Sequence, residues 1–223
     1  MIKGLLFDLD GVITDTAIYH YKAWKKLTDE LEIPFDEQVN ELLKGISREQ
    51  SLQVILREAK VEGKYSEALL SEFLERKNGY YIEMIGKVTE RDILPGIGEI
   101  LEQAREQGLK LALASASKNA PFLLERLNLT EYFHAIVDPA TLRQGKPDPE
   151  IFLKAAEKIN CLPRECIGFE DAQAGIEALV AANIFSVGIG DKELLGDADI
   201  IYSGTSELNL KHILQLAIKH ISR

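Results

Sequence analysis

The sequence predicts an α/β protein: a parallel-sheet core covered by helices on both faces, interrupted near its start by an inserted all-helical domain. Two observations support this fold class. Short apolar runs without polar alternation are typical of strands buried on both faces of a sheet, and helical patterns separate the later runs. Residues 16–91, in contrast, contain only helical patterns. Alternating strands and helices favour a mostly parallel, Rossmann-like core, so the helical segment is most simply a second, smaller domain.

The core is predicted to contain six strands and four helices. The strands cover residues 2–7, 109–114, 135–137, 166–169, 185–189 and 199–202. The helices cover residues 96–107, 119–127, 148–159 and 171–182. Gly108 is a natural stop after the first helix, and Pro121 lies early in the second. Asp148 is expected to cap the third helix, with Pro149 in its first turn.

The inserted domain is predicted to contain four helices, at residues 17–31, 36–43, 47–59 and 66–85. Ser47 and Gln50 have the spacing of a capping box at the start of the third helix. We expect the helical cap domain to span residues 16–92, while residues 1–15 and 93–223 together form the core. The two connections then lie at residues 14–16 and 93–96.

The composition is that of a globular protein, with 46% hydrophobic and 28% charged residues among 223. The net charge of -10 makes nucleic acid and anionic membranes poor partners. No apolar run approaches the ~20 residues of a membrane span, and the N-terminus lacks the apolar stretch of a signal peptide. Cys161 and Cys166 are the only cysteines and cannot complete a zinc site, so we expect two thiols in a reducing compartment. These features predict a cytoplasmic, monomeric protein.

Two acidic residues follow the first predicted strand, in the segment LFDLDGV of residues 6–12. Open parallel sheets bind ligands at the carboxyl ends of their strands. Asp8 and Asp10 would repel each other and an approaching phosphate, and a bound Mg²⁺ ion, which prefers oxygen ligands, would remove that repulsion. One carboxylate could then attack phosphorus and form an aspartyl phosphate, while the other transfers protons. The alternative interpretation is that Asp10 and Gly11 merely form a turn.

Three further polar groups follow later predicted strands. Ser115 ends one strand just before a helix, where a hydroxyl and free amide groups make an anion site. Lys146 lies in a loop before a helix and could neutralise a phosphoryl oxygen, and Glu170 with Asp171 adds two acids at a strand end. Each group alone has a structural explanation: a helix cap, a solvated lysine, or acids at the start of a helix. Together they indicate one site at neighbouring strand ends.

The sequence resembles the haloacid dehalogenase superfamily of phosphotransferases over its whole length. The four motifs of that superfamily are matched, in order, by Asp8 with Asp10, by Ser115, by Lys146, and by Glu170 with Asp171. The helical insertion is similar to the cap of those members that carry an α-helical lid. The resemblance implies that Asp8 is the nucleophile and Asp10 the general acid and base.

The resemblance also implies how a metal ion and the transferred group are held. Mg²⁺ would bind to Asp8, the backbone carbonyl of Asp10, Glu170 and Asp171. The transferring phosphoryl group would be held by Ser115, the backbone at Ala116, and Lys146.

Within the superfamily, the chain looks like the sugar-phosphate mutases. The matching segments are residues 8–16, 19–20, 23–24, 43–49, 76–78, 114–119 and 168–175. This narrower resemblance implies interconversion of β-D-glucose 1-phosphate and glucose 6-phosphate, primed by glucose 1,6-bisphosphate. It further suggests that Thr16 and His20 orient Asp10 or the sugar, and that other residues shape the cap side of the site. Those residues are Trp24, Gly45, Ile46, Ser51 and Lys77.

A mutase that works through a bisphosphate needs a second site for the phosphate that is not reacting. Arg48 is the candidate from the cap, because guanidinium binds phosphate with a rigid fork of donors. Its place in the first turn of a helix is otherwise unfavourable for a cation. Ser117, Lys118 and Asn119 would complete the site from the core, so that the bisphosphate bridges the two domains.

Three other functions fit parts of the pattern. A sugar-phosphate or phosphoglycolate-like phosphatase needs one phosphate site and water. A non-enzymatic sugar-phosphate sensor would keep the pocket but has no need of the pair of acids Asp8 and Asp10. A dehalogenase has no need of Lys146 beside four acids.

Overall fold

The computed structural model describes residues 1–221. Its six strands form one sheet in the order β3-β2-β1-β4-β5-β6, and every neighbouring pair is parallel. The strands are β1 (Gly4–Phe7), β2 (Lys110–Leu113), β3 (Ala135–Ile136), β4 (Cys166–Glu170), β5 (Phe185–Ile189) and β6 (Ile200–Tyr202). The order runs outward from β1 in one direction and then returns to its other side, as in doubly wound folds.

Helices cover both faces of the sheet. Along β1, Leu5 and Phe7 pack into one hydrophobic cluster while Leu6 packs into another, because successive side chains of a strand point to opposite faces. The first cluster includes residues of α5 (Ile97–Glu106), α6 (Ala120–Arg126) and α9 (Leu210–Ile221). The second includes residues of α7 (Glu150–Lys158) and α8 (Gln173–Ala181). The predicted fold class is therefore confirmed.

The segment between β1 and α5 is helical and has a core of its own. Its helices are α1 (Ala17–Glu30), α2 (Glu37–Glu41), α3 (Arg48–Glu58) and α4 (Glu67–Ile85). Residues 16–92, all of them described, contain no strand. Trp24, Leu27, Ile55 and Phe73 belong to a third hydrophobic cluster that lies entirely within this helical block. Ser47 and Gln50 form the predicted capping box.

The chain enters and leaves the helical block at adjacent points. Thr14 and Ile93 form an isolated antiparallel bridge, and the amide of Leu94 donates to the carbonyl of Ile13 over 2.9 Å. The Thr14 hydroxyl also donates to the carbonyl of Asp92 over 2.8 Å. The two connecting segments therefore support each other, while the division into two domains at residues 15/16 and 92/93 stays a prediction.

Two details differ from the sequence prediction. The N-cap of α7 is Pro149 rather than Asp148, although the Asp148 side chain still accepts a hydrogen bond from the amide of Glu150 over 2.9 Å. The helix α9 is not among the predicted elements. Leu210, Ile213 and Ala217 are buried and recur at helical spacing. The sequence therefore contains the apolar stripe that predicts this helix. No helix among the described residues is both long and apolar enough to cross a membrane.

Candidate active site

The predicted site residues meet at the carboxyl edge of the sheet. Asp8 directly follows β1, Ser115 lies two residues beyond β2, and Glu170 is the last residue of β4. Phe7 is in register with Leu113 of β2 and with Phe169 of β4, so the three strands end at the same level. The strand order also reverses between β1 and β4, which is where open α/β sheets bind their ligands.

A buried lysine connects two of the acids. The side chain of Lys146 is fully buried, and its Nζ atom lies 2.6 Å from Asp8 Oδ1 and forms a second ion pair with Glu170. Burial alone would lower the pKa of Lys146, but the carboxylates of Asp8 and Glu170 outweigh it and raise the pKa above its usual value. Lys146 is therefore a fixed positive charge beside the predicted nucleophile. The peptide bond between Lys146 and Pro147 is cis.

Three carboxylates form a cluster that suits a metal ion. Asp8, Glu170 and Asp171 each offer an oxygen atom, and these atoms lie within 4.8 Å of one another. Burial and the neighbouring charges of Glu170 and Asp8 raise the pKa of Asp171 well above its usual value. A divalent cation would relieve this repulsion, and an all-oxygen set suits Mg²⁺. The Asp10 side chain is outside this cluster, and the predicted metal contact of its carbonyl stays a prediction.

Two glycines make room for these carboxylates. A Cβ atom at Gly175, in the first turn of α8, would lie 1.9 Å from Glu170 Oε1. A Cβ atom at Gly11, whose φ is +75°, would lie 2.0 Å from Asp171 Oδ2. Any larger residue at either position would displace an acid of the cluster. Glycine at these two positions therefore lets the backbone approach the carboxylates closely.

Asp10 has an unsatisfied oxygen atom in the pocket. Its Oδ1 atom is buried and has no hydrogen-bond partner among residues 1–221. Partial burial and the charge of Asp8 raise the pKa of Asp10 to about 8, which favours the protonated carboxyl group at neutral pH. A buried polar atom without a partner is costly, so this oxygen is suited to exchange a proton with a bound ligand.

His20 and Lys77 lie beside Asp10. His20 Nε2 is 3.8 Å from Asp10 Oδ2, and His20 Nδ1 is 2.7 Å from Lys77 Nζ. Burial and the charge of Lys77 lower the pKa of His20 well below its usual value, which keeps the ring neutral. Burial and the charge of Arg48 lower the pKa of Lys77 to about 7. The helical block thus brings polar groups to the predicted acid and base.

One pocket between the sheet edge and the helical block contains most of the predicted site. The predicted residues that line it are Asp8, Asp10, His20, Trp24, Gly45, Ile46, Arg48, Ser51, Lys77, Ser115, Ala116, Ser117, Lys118, Asn119 and Asp171. Lys146 and Glu170 do not line the pocket but contact Asp8 or each other within the protein.

Thr16 is the predicted substrate contact that does not line the pocket. It is fully buried, and its Oγ1 atom accepts a hydrogen bond from the Tyr81 hydroxyl over 3.3 Å. This contact ties the start of α1 to α4. The structure therefore gives Thr16 a contact within the helical block, and an influence on the sugar stays a prediction.

Several pocket residues are not among the predicted site residues, although four of them lie in the matching segments 43–49 and 76–78. They are Ala17, Asn40, Leu43, Lys44, Glu49 and Asn78. Two of them contact predicted phosphate ligands: Glu49 Oε1 lies 2.7 Å from Lys118 Nζ, and Asn78 Oδ1 accepts a hydrogen bond from Asn119 Nδ2 over 2.9 Å. Both stand next to a predicted residue in the chain, but adjacency on a helix does not show which side chain faces the core.

Comparison with known proteins identifies the family of this chain. Residues 2–183 match the family model described as haloacid dehalogenase-like hydrolase. The chain is 50% identical to a β-phosphoglucomutase of Bacillus subtilis, over 94% of this chain and 93% of the relative. It is 29% identical to a phosphorylated carbohydrates phosphatase of Thermotoga maritima, over 82% of both chains. The crystal structure of a Clostridium difficile β-phosphoglucomutase matches with a TM-score of 0.98 and 44% identity, covering 100% of both chains.

The chain therefore belongs to the haloacid dehalogenase-like hydrolase family, as its motifs predict. Within that family of enzymes its sequence and structure group it with the β-phosphoglucomutases.

Proposed function

We propose that the protein is a magnesium-dependent isomerase that interconverts β-D-glucose 1-phosphate and glucose 6-phosphate. The observation that carries this proposal is a single pocket that is lined both by the two acids and by additional cations. Asp8 and Asp10 line it together with Arg48 from the helical block and Lys118 from the core. A phosphatase needs only the acids and one phosphate site. A bisphosphate intermediate also needs cations for its second phosphate.

In the proposed reaction, Asp8 alternately carries and releases a phosphoryl group. A carboxylate oxygen of Asp8 attacks phosphorus in glucose 1,6-bisphosphate, the bond from phosphorus to the sugar oxygen breaks, and Asp10 gives that oxygen a proton. Transfer from the C1 oxygen releases glucose 6-phosphate. When the C6 hydroxyl of a new β-D-glucose 1-phosphate attacks phospho-Asp8, the bond between phosphorus and Asp8 breaks, Asp10 takes the proton of that hydroxyl, and the bisphosphate forms again. The unpartnered Oδ1 atom and the raised pKa of Asp10 support this double role.

Fixed charges would stabilise the phosphoryl group during transfer. Lys146, which contacts Asp8, would neutralise a phosphoryl oxygen. Ser115 and Ala116 line the same pocket as Asp8, and the Ser115 hydroxyl and the Ala116 amide would donate hydrogen bonds to the phosphoryl group. Mg²⁺ held by Asp8, Glu170, Asp171 and the Asp10 carbonyl would neutralise the charge shared between carboxylate and phosphate. The helical block covers the pocket and would limit access of water to phospho-Asp8.

The test is a coupled assay for glucose 6-phosphate with each anomer of glucose 1-phosphate. We expect turnover of the β anomer only, dependent on both Mg²⁺ and a trace of glucose 1,6-bisphosphate. Release of inorganic phosphate as the main reaction, with no priming by bisphosphate, would instead identify a sugar-phosphate phosphatase. A cytoplasmic, monomeric protein remains part of the proposal.

A further inference from the structure

Asn78 and Asn119 join the helical block to the core inside the pocket. Asn119 lies just before α6 in the turn that is proposed to hold the non-reacting phosphate, and Asn78 lies on α4. Asn119 Nδ2 donates a hydrogen bond to Asn78 Oδ1 over 2.9 Å, and both side chains line the pocket and are partly buried. Asn78 therefore directly contacts a proposed phosphate ligand.

The direction of this hydrogen bond matters because the two ends of a carboxamide have opposite chemistry. The amino end donates two hydrogen bonds and the oxygen only accepts. An ionised phosphate accepts, so it is attracted to the amino end and repelled by the oxygen. The carbonyl of Asn78 engages one N–H group of Asn119 and fixes the amino end toward the helical block. The second N–H group can then donate a hydrogen bond to a phosphate oxygen.

Resting on the proposed function, we propose that Asn78 is a positioning residue for the non-reacting phosphate. It holds the Asn119 carboxamide with its amino group, rather than its oxygen, presented to the phosphate. Without Asn78, the carboxamide could rotate by half a turn and place its oxygen against the anion.

The surroundings of Asn78 support a positioning role. Tyr81 is three residues further along α4, is buried, and binds Thr16 through its hydroxyl group. Lys77, on the other side, is buried and contacts His20. These neighbours fix this part of α4, so the Asn78 side chain reaches the core from a firmly packed helix.

The test is a double-mutant cycle with Asn78→Ala, Asn119→Ala and the double variant. We expect Asn78→Ala to raise KM for β-glucose 1-phosphate by about two- to tenfold, the usual range for one hydrogen bond. The decrease in kcat should be smaller, because the non-reacting phosphate is bound alike before and during the transfer. In the Asn119→Ala background, Asn78→Ala should change KM by less than about twofold. Glu75→Ala, an exposed substitution on the same helix, is the matched control.

The outcomes of these measurements test the inference and the proposed function separately. An unchanged KM in Asn78→Ala, or the same rise in KM with and without Asn119, overturns this inference while wild-type isomerisation upholds the proposed function. A wild-type protein that forms no glucose 6-phosphate overturns the proposed function and this inference with it. Loss of kcat together with a lowered melting temperature, relative to Glu75→Ala, would mean that Asn78 only supports the helix, and would also overturn the inference.

Discussion

At the scale of single residues, the active site is organised around a positive charge that solvent does not reach. Lys146 is buried between Asp8 and Glu170, so its ammonium group is held in place by the two acids that it neutralises. Such pairs are costly to break, because removal of one partner leaves the other charges buried and uncompensated. Lys146 thus has a structural role as well as the proposed catalytic one.

Replacing Lys146 with Ala should therefore destabilise the metal-free protein strongly. We expect the free energy of unfolding to fall by about 3–5 kcal/mol, the usual effect of breaking a buried pair. Mg²⁺ should restore part of this loss, because it would neutralise the same carboxylates. Urea unfolding with and without Mg²⁺ measures both effects.

Lys154→Ala provides the control for this prediction. Lys154 pairs with Glu150 one turn away on α7, and both side chains are partly exposed. Its removal should cost less than about 1 kcal/mol. Equal losses in the two variants would contradict the role given to the buried lysine, as would a Lys146 variant that Mg²⁺ does not stabilise.

At the scale of secondary-structure elements, the acidic residues lie at the ends of strands, and the helices that follow leave space for their side chains. The first turn of α8 lies directly against Glu170, and Gly175 is the residue that permits this approach. A glycine within a helix normally weakens it by roughly 1 kcal/mol relative to alanine. Glycine is needed at this position because the Glu170 carboxylate leaves no room for a Cβ atom, and not because glycine favours the helix.

We expect Gly175→Ala to impair metal binding even though alanine favours a helix. The new Cβ atom would occupy the present position of Glu170 Oε1, so the carboxylate must move away from Asp8 and Asp171. The affinity for Mg²⁺, measured by titration calorimetry, should fall at least about tenfold, equivalent to 1.4 kcal/mol. Gly98→Ala, near the start of α5 where an added Cβ atom has no neighbour within 4 Å among residues 1–221, should leave it unchanged. If Gly175→Ala binds Mg²⁺ normally, the proposed metal site is misplaced.

At the scale of the whole molecule, the helical block and the core share a hydrophobic cluster that includes Ala23, Tyr81 and Ile85 of the block. Over the pocket, the two parts meet through weak polar contacts. Lys118 and Glu49 form an ion pair across this boundary with side chains 46% and 45% exposed. Exposed pairs contribute about 0–1 kcal/mol and are screened by salt. Together with the adjacent connections at Thr14 and Ile93, this weak pair favours a lid that opens on the pocket side, while the shared hydrophobic cluster keeps the block attached to the core.

Glu49→Gln should therefore shift the free protein toward an open arrangement without unfolding it. We expect a larger radius of gyration in small-angle X-ray scattering at low salt, with a melting temperature within a few degrees of wild type. Added NaCl should expand the wild type and leave Glu49→Gln nearly unchanged. Glu58→Gln on the same helix, where Glu58 pairs within the helix with Arg57, should behave like wild type. If the radius of gyration of the wild type does not change with salt, the ion pair between Glu49 and Lys118 does not hold the lid closed.

The sheet, the helical insertion and the acids at the strand ends could all be predicted from the amino-acid sequence. These features depend on local pattern: buried strands read as apolar runs, and Asp8, Ser115 and Glu170 each stand at the end of one. The family motifs then brought Lys146 into the same site, and the need for a second phosphate site added Arg48. Such information lies within short segments and in their order along the chain.

Which side chains meet across the pocket depends on how distant elements pack, so it could not be predicted from the sequence. The pairs Asn78–Asn119 and Glu49–Lys118 are 41 and 69 residues apart in the chain, and no local pattern specifies how a helix is rotated against a distant turn. The burial of Thr16 away from the pocket and the unpartnered oxygen of Asp10 have the same origin. Burial and partner choice are properties of the packed molecule, because they depend on which surfaces the remaining elements cover.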